Sequence, residues 1–395
     1  MIAPFAIARL PRIEFGPGSL ARLPQIAARY GRRLLLLTGA RSFDASGEGQ
    51  RLLAALAAQG LSWEVERVAG EPSPRLVDEI VARRRGSGFE LVVGIGGGSV
   101  LDAAKAVAGL LKPGNSVLDH LEGVGPEAPY RGPATPFIAV PTTAGTGSEA
   151  TKNAVLSTHG EAGYKKSFRD DRLVPEYAIV DPDLLASCPP PLIAANGMDA
   201  FTQLLESYVS TRANPFTDAL ALSGMEAARD GLLAWYEGGE GAEAGRQKMA
   251  YAALLSGICL AQTGLGSVHG LAAPLGAFFP IPHGVVCGTL VEAATRVNIE
   301  VMQARDPDNP ALDRYARVGR LFRGRSHVDD VGARVFLLHT LAEWTRCMAL
   351  PRLSTFGVGA GDLPQVVAGC RGSSMKTNPV VLSDQEVARV LEARL

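Results

Sequence analysis

Two histidines, His269 and His283, stand fourteen positions apart in GLGSVHGLAAPLGAFFPIPHG, within a chain that has six histidines in 395 residues. Imidazole is the commonest metal-ligating side chain and the usual proton carrier near neutral pH. A glycine follows each of them (Gly270 and Gly284). With the surrounding prolines, these glycines predict tight backbone geometry beside the imidazoles rather than uninterrupted helix. Two ordinary core or surface histidines in a loop would read the same way, so residues elsewhere must decide between the readings.

Three upstream segments carry further chemistry. GIGGGSVLDAAKAVAGL (Gly94 to Leu110) reads as a strand end, a glycine cluster and a helix start, where bare backbone amides and the positive end of a helix suit a pyrophosphate. It is neither a P-loop nor a G-x-G-x-x-G fingerprint, and Ser99 with Asp102 also reads as an N-cap with a carboxylate at N3. PTTAGTGSEATKNAV (Pro141 to Val155) follows another buried strand and gathers hydroxyls and glycines. It is a polar loop taken alone, but two such loops at successive strand ends suggest one phosphorylated ligand bridging them. In NGMDAFTQLLESYVS (Asn196 to Ser210), Asp199 and Gln203 are four residues apart and so share a helix face, as candidate ligands or as ordinary polar helix residues.

The elements that must position these residues fall into two textures. The first half alternates short apolar runs (Leu34 to Gly39, Trp63 to Val68, Leu91 to Ser99, Pro136 to Thr143, Ala178 to Pro182) with alanine-rich helical stretches, the pattern of an α/β domain with a parallel sheet. Such sheets bind ligands at the carboxyl ends of their strands. After CPPP (Cys188 to Pro191) the periodicity is helical throughout. The division predicted is an α/β domain over 1–187 and an all-helical domain over 188–395.

Composition narrows the function classes. Lys and Arg (39) balance Asp and Glu (40), so there is no basic excess to neutralise a phosphodiester backbone, which argues against nucleic acid as a partner. The five cysteines (Cys188, Cys259, Cys287, Cys347, Cys370) are scattered without C-x-x-C spacing, as expected in a reducing compartment. With no secretory leader pattern and no long apolar span, the expectation is a cytoplasmic protein acting on a small molecule.

In this order and spacing, GGGSVLDAAKAVA, PTTAGTGSEAT, AIVDPDLL, GMDAFTQLLESYVS and HGLAAPLGAFFPIPHG resemble the iron-containing (group III) alcohol dehydrogenases over nearly the whole chain. The resemblance implies an N-terminal dinucleotide-binding α/β domain, an all-α C-terminal domain, an active site in the cleft between them and a homodimer. It also implies NAD or NADP and one Fe²⁺ or Zn²⁺, used to interconvert alcohols and carbonyl compounds. Carried over by position, Gly97, Gly98 and Ser99 hold the pyrophosphate. Thr142, Thr143 and Thr151 line the adenine and nicotinamide halves, and Lys165 and Leu184 lie nearer the ribose and ring. The metal ligands correspond to Asp199, Gln203, His269 and His283, with the two histidines at the catalytic centre and Phe278 and Phe279 as cleft-wall or core residues.

Three positions depart from the family pattern. Gln203 stands where the family has histidine, and its harder, less basic amide oxygen lowers the expected affinity for Fe²⁺ or Zn²⁺. Ala273 replaces a histidine near the nicotinamide and cannot relay a proton. Gly39 ends the first long strand where many NAD-preferring relatives have an acidic residue, with Arg41 two positions on, so NADP(H) is electrostatically tolerated. Three other readings stay open: a metal-independent keto acid reductase like maleylacetate reductase, a non-catalytic cofactor-binding relative, and a lyase resembling dehydroquinate synthase.

Overall fold

The computed structural model describes residues 2–40, 43, 47–160, 163–324 and 328–395. Arg41 lies outside the described residues. Residues 8–158 and 163–188 form one compact unit; Pro189–Leu395 forms the other, together with the described residues of Met1–Ile7 and His159–Ala162. The division expected at 187/188 thus differs at the N-terminus and at 159–160, where the chain makes its contacts with the helical unit rather than with the sheet.

The α/β unit is built on strands β1 (Arg12–Phe15), β2 (Arg33–Gly39), β3 (Ser62–Val68), β4 (Leu91–Gly96), β5 (Phe137–Pro141) and β8 (Tyr177–Val180), in the order β1-β8-β5-β4-β2-β3 with every pairing parallel. Helices α1 (Leu23–Ala27), α2 (Gly47–Ala58), α3 (Pro74–Arg84) and α4 (Gly98–Leu110) connect them. The leucine run of β2 shows why the sheet is covered on both faces: Leu35 and Leu37 belong to one buried cluster, while Leu34 and Leu36 belong to another. Strands β6 (Asn153–Thr158) and β7 (Tyr164–Arg169) form a separate antiparallel hairpin. Neither they nor β1 stand out in the sequence, because their residues are largely polar or half-exposed. Strand order reverses at β2, which has β3 on one side and β4 on the other. The carboxyl ends of β2 and β4 therefore form the switch point at which such sheets take ligands.

The second unit is helical: α5 (Pro190–Val209), α6 (Pro215–Glu237), α7 (Ala242–Thr263), α8 (Ser267–Phe278), α9 (His283–Arg305), α10 (Pro310–Arg323), α11 (Asp330–Cys347), α12 (Leu363–Gly369) and α13 (Asp384–Glu392). Helix α5 is its axis, buried almost continuously from Ile193 to Val209 and packed against α6, α7 and α9. A helix enclosed on all sides must satisfy any polar group it carries from its neighbours. Asp199, Gln203 and Glu206, all on α5, are such groups. No single helix among the described residues is long and apolar enough to cross a membrane.

Candidate functional site

In the α/β unit, the glycine cluster leads from β4 into α4. Gly97 is the N-cap and α4 starts at Gly98, so Ser99 lies inside the first turn and is not the cap that its spacing to Asp102 suggests. Asp102 instead accepts from Ser148 Oγ at 2.6 Å. The two strand-end loops meet: Thr142 N–H donates to the Gly96 carbonyl at 3.0 Å, and a Cβ on Gly98 would come within 2.7 Å of Thr146. Only glycine allows that approach. Gly97, Gly98, Ser99, Thr142 and Thr143 are half-buried around this junction, at the start of α4, where partial positive charge is concentrated.

Thr151 and Lys165 each have a partner within the protein. Thr151 is buried, and its hydroxyl accepts from Lys105 Nζ at 3.0 Å; Lys165 on β7 pairs with Glu71 at 2.7 Å, and Leu184 packs on the core beneath the sheet. The residue that shapes this region is Lys105, which sequence reasoning passed over inside an alanine-rich helix. Fully buried, it donates to the Ser148 carbonyl and hydroxyl, to Thr151 and to the Asn153 carbonyl at 2.6–3.0 Å, tying the loop after β5 to α4. Burial brings its ammonium down to about 8, and the same burial pushes nearby Glu149 up to about 7. At the end of β2, Gly39 is half-buried, and Arg67 on β3 donates to Thr38 Oγ1 one residue before it.

In the helical unit three helices converge. Both histidines are helical, contrary to the expected turns: His269 is in the first turn of α8 and His283 is the first residue of α9. The glycines around them serve close packing instead. A Cβ on Gly284 would stand 2.5 Å from the Ala195 carbonyl of α5, and one on Gly266, the N-cap of α8, 2.8 Å from Glu206 Oε1. These contacts bring Asp199 Oδ1 to 3.2 Å from His269 Nε2 and 3.8 Å from His283 Nε2.

Glu206, one helical turn beyond Gln203 on α5, fixes His269. Its Oε2 accepts from His269 Nδ1 at 2.6 Å while its Oε1 accepts from Val268 N–H at 2.7 Å, so a carboxylate caps α8 and leaves Nε2 facing Asp199. The spacing from Asp199 to Glu206 is seven residues, a same-face separation that marks it in retrospect. Burial alone would raise the Asp199 carboxyl, but His283 and His269 hold it down at about 2. Burial would likewise lower His269, yet Cys287, Glu206 and Asp199 together hold it well above the ordinary imidazole value.

Gln203 bridges Asp199 and Ser256. Its Nε2 donates to Asp199 Oδ1 at 3.1 Å and its Oε1 accepts from Ser256 at 2.8 Å. The opposite orientation would set an amide oxygen against a carboxylate oxygen. Cys287, one turn beyond His283 on α9, also faces the centre, and donor atoms of Asp199, His269, His283 and Cys287 all lie within 4.8 Å of one another. At metal–ligand lengths of about 2.0–2.2 Å, nitrogen and oxygen donors on tetrahedral corners stand roughly 3.3–3.6 Å apart. The observed 3.2 and 3.8 Å bracket that range, so the residues present fit a divalent ion. Ala273, a turn after His269, is half-buried and brings no titratable group; Phe278 and Phe279 are half-buried at the end of α8.

Comparison with known proteins gives the family. Residues 11–182 match the family model described as iron-containing alcohol dehydrogenase, and 193–395 match its C-terminal family. The chain is 32% identical to alcohol dehydrogenase 4 of Saccharomyces cerevisiae, covering 97% of each. It is 29% identical to an NADPH-dependent butanol dehydrogenase of Clostridium saccharobutylicum, covering 97% of this chain and 96% of that protein. The crystal structure of sulfoacetaldehyde reductase from Bifidobacterium kashiwanohense in complex with NAD+ superposes with a TM-score of 0.84 at 27% identity, covering 99% of each chain. The chain belongs to the iron-containing alcohol dehydrogenase family, as an NAD(P)-dependent oxidoreductase that interconverts alcohols and aldehydes.

Proposed function

We propose that this enzyme works as a metal-assisted aldehyde reductase, with a divalent ion on Asp199, His269 and His283 and with NADPH preferred to NADH. The observation that carries the reading is the convergence of one carboxylate and two imidazoles, drawn from α5, α8 and α9, with Asp199 Oδ1 3.2 and 3.8 Å from the two imidazole nitrogens. When bound, the ion polarises the substrate oxygen and the nicotinamide carries the hydride. Asp199 supplies the counter-charge in a buried setting. Glu206 holds the His269 ring with Nε2 turned inward, and the loops at Gly97–Ser99 and Thr142–Thr143 offer amides and hydroxyls to a pyrophosphate. With Ala273 in place of an imidazole, α8 offers no proton relay at that position, so solvent or a cofactor hydroxyl supplies the proton. The preference for NADPH is supported by Gly39, which brings no carboxylate to repel a 2′-phosphate, and by Arg67 beside it.

The test is a metal assay on freshly purified protein joined to an NADH and NADPH screen over aldehydes, ketones and keto acids. Exhaustive chelation should abolish turnover, and Fe²⁺ or Zn²⁺ should restore it; full activity after chelation would make the enzyme a metal-independent reductase. Arg67→Ala should lower kcat/KM for NADPH about tenfold or more, the scale of one charge-assisted hydrogen bond, and leave NADH nearly unaffected. Equal use of both nucleotides by the unsubstituted enzyme would end the NADPH assignment.

A further inference from the structure

We infer that Cys287 is the fourth protein ligand of the metal, taking the part that the amide of Gln203 leaves open. This rests on the metal reading above and extends it to a residue outside the family's ligand set. Cys287 is fully buried, and its Sγ stands 3.5 Å from His269 Nε2 and 3.8 Å from His283 Nε2. With metal–sulfur and metal–nitrogen lengths of about 2.3 and 2.05 Å, tetrahedral corners lie about 3.6 Å apart. Both distances match. The other buried cysteines have different surroundings: Cys259 Sγ, for instance, reaches the Thr217 carbonyl.

The placement has a local cause. His283 opens α9, so Cys287 lies one turn along the same face, and the close approach at Gly284 presses that face onto Asp199. Gln203 is meanwhile engaged at both ends, by Asp199 and by Ser256. As the sulfur binds, the thiol proton passes to solvent. The donors then carry two negative charges, one from Asp199 and one from the thiolate, which balance a divalent ion. A bound zinc ion would still be able to take the substrate oxygen as a fifth ligand, so four protein donors are compatible with the reaction. A thiolate in place of an imidazole makes the set softer and favours Zn²⁺ over Fe²⁺.

The experiment loads the full-length apoprotein with Co²⁺ and records its absorption, beside Cys287→Ser and Cys287→Ala. Bound Co²⁺ should give visible d–d bands together with a near-ultraviolet thiolate-to-cobalt charge-transfer band. Each variant should keep the d–d bands, lose the charge-transfer band and bind Co²⁺ about tenfold or more weakly. In parallel, alkylation of the Cys287 peptide, followed by mass spectrometry, should be suppressed by one equivalent of Zn²⁺. Stoichiometric Co²⁺ without the charge-transfer band, or with a band that survives in Cys287→Ser, would overturn the Cys287 assignment and leave the Asp199–His269–His283 site standing. Failure of the unsubstituted protein to bind Co²⁺ or Zn²⁺ at all would overturn both. Circular dichroism and thermal melting of the variants separate loss of a ligand from loss of fold.

Discussion

His269 is held on its outer nitrogen by a carboxylate, Glu206, that stands outside the group of candidate donors. Glu206 joins the two tasks, capping α8 through Val268 N–H and orienting His269 through Nδ1. Glu206→Gln keeps the volume but removes the charge and one of the two acceptor oxygens, so metal affinity should fall about 10–100-fold, the usual effect of losing a partner of a ligating histidine. Competition with a chelator of known affinity measures this, and unchanged metal retention would show that the packing around His269 suffices. Asp199, His269 and His283 could be named from residue type and motif order. Glu206 and Cys287 could not. Reading the segment around His283 as a turn hid the four-residue helical spacing that places Cys287 beside it, and nothing along the chain showed that Gln203 would be engaged by Ser256, fifty-three positions away.

Whether those side chains meet depends on how closely the helices approach. Gly284 lets the first turn of α9 lie against the backbone of α5, and a methyl group there would press on the Ala195 carbonyl at 2.5 Å. Gly284→Ala should therefore cost about 1–3 kcal/mol, as overpacking does, and weaken metal binding by separating His283 from Asp199. Thermal melting and metal titration of the variant check both effects; a stable variant with full metal affinity would show that α9 accommodates the methyl group elsewhere. The strands β2, β4, β5 and β8 could be read from their apolar runs because both faces of the sheet are buried there, and the edge strand β3 from its Trp63, Val65 and Val68. The hairpin β6–β7 and the edge strand β1 lack that signal, since their residues are largely polar or half-exposed and β1 pairs with β8, distant in the chain.

Across the whole molecule, one buried charge cluster sets part of the pH dependence. The Glu149 carboxyl, raised from 4.5 to about 7 by burial, binds its proton more tightly in the folded chain than in the unfolded one. Its contribution is therefore fully present below pH 4.5 and is lost as pH rises through 7, a change of roughly 3 kcal/mol. Glu149→Gln should flatten that slope, so that the stability at pH 8 rises relative to that at pH 5 when compared with the unsubstituted protein, as denaturant unfolding at the two pH values measures. Parallel pH slopes for the two would show that Lys105 keeps Glu149 ionised.

The order of motifs determined the α/β-then-helical plan and the strand-end loops, because hydrophobic period and turn chemistry act over a few neighbouring residues, while Asp199, His269 and His283 were singled out as candidate ligands by the family resemblance those motifs carry. The tertiary structure alone decided the rest: that both histidines are helical, that Lys105 ties the second loop to α4, that Glu206 orients His269 and that Cys287 stands beside Asp199 and the two histidines. Each of these depends on where a buried polar group finds its partner, and in a close-packed interior that partner comes from another element brought into contact by packing.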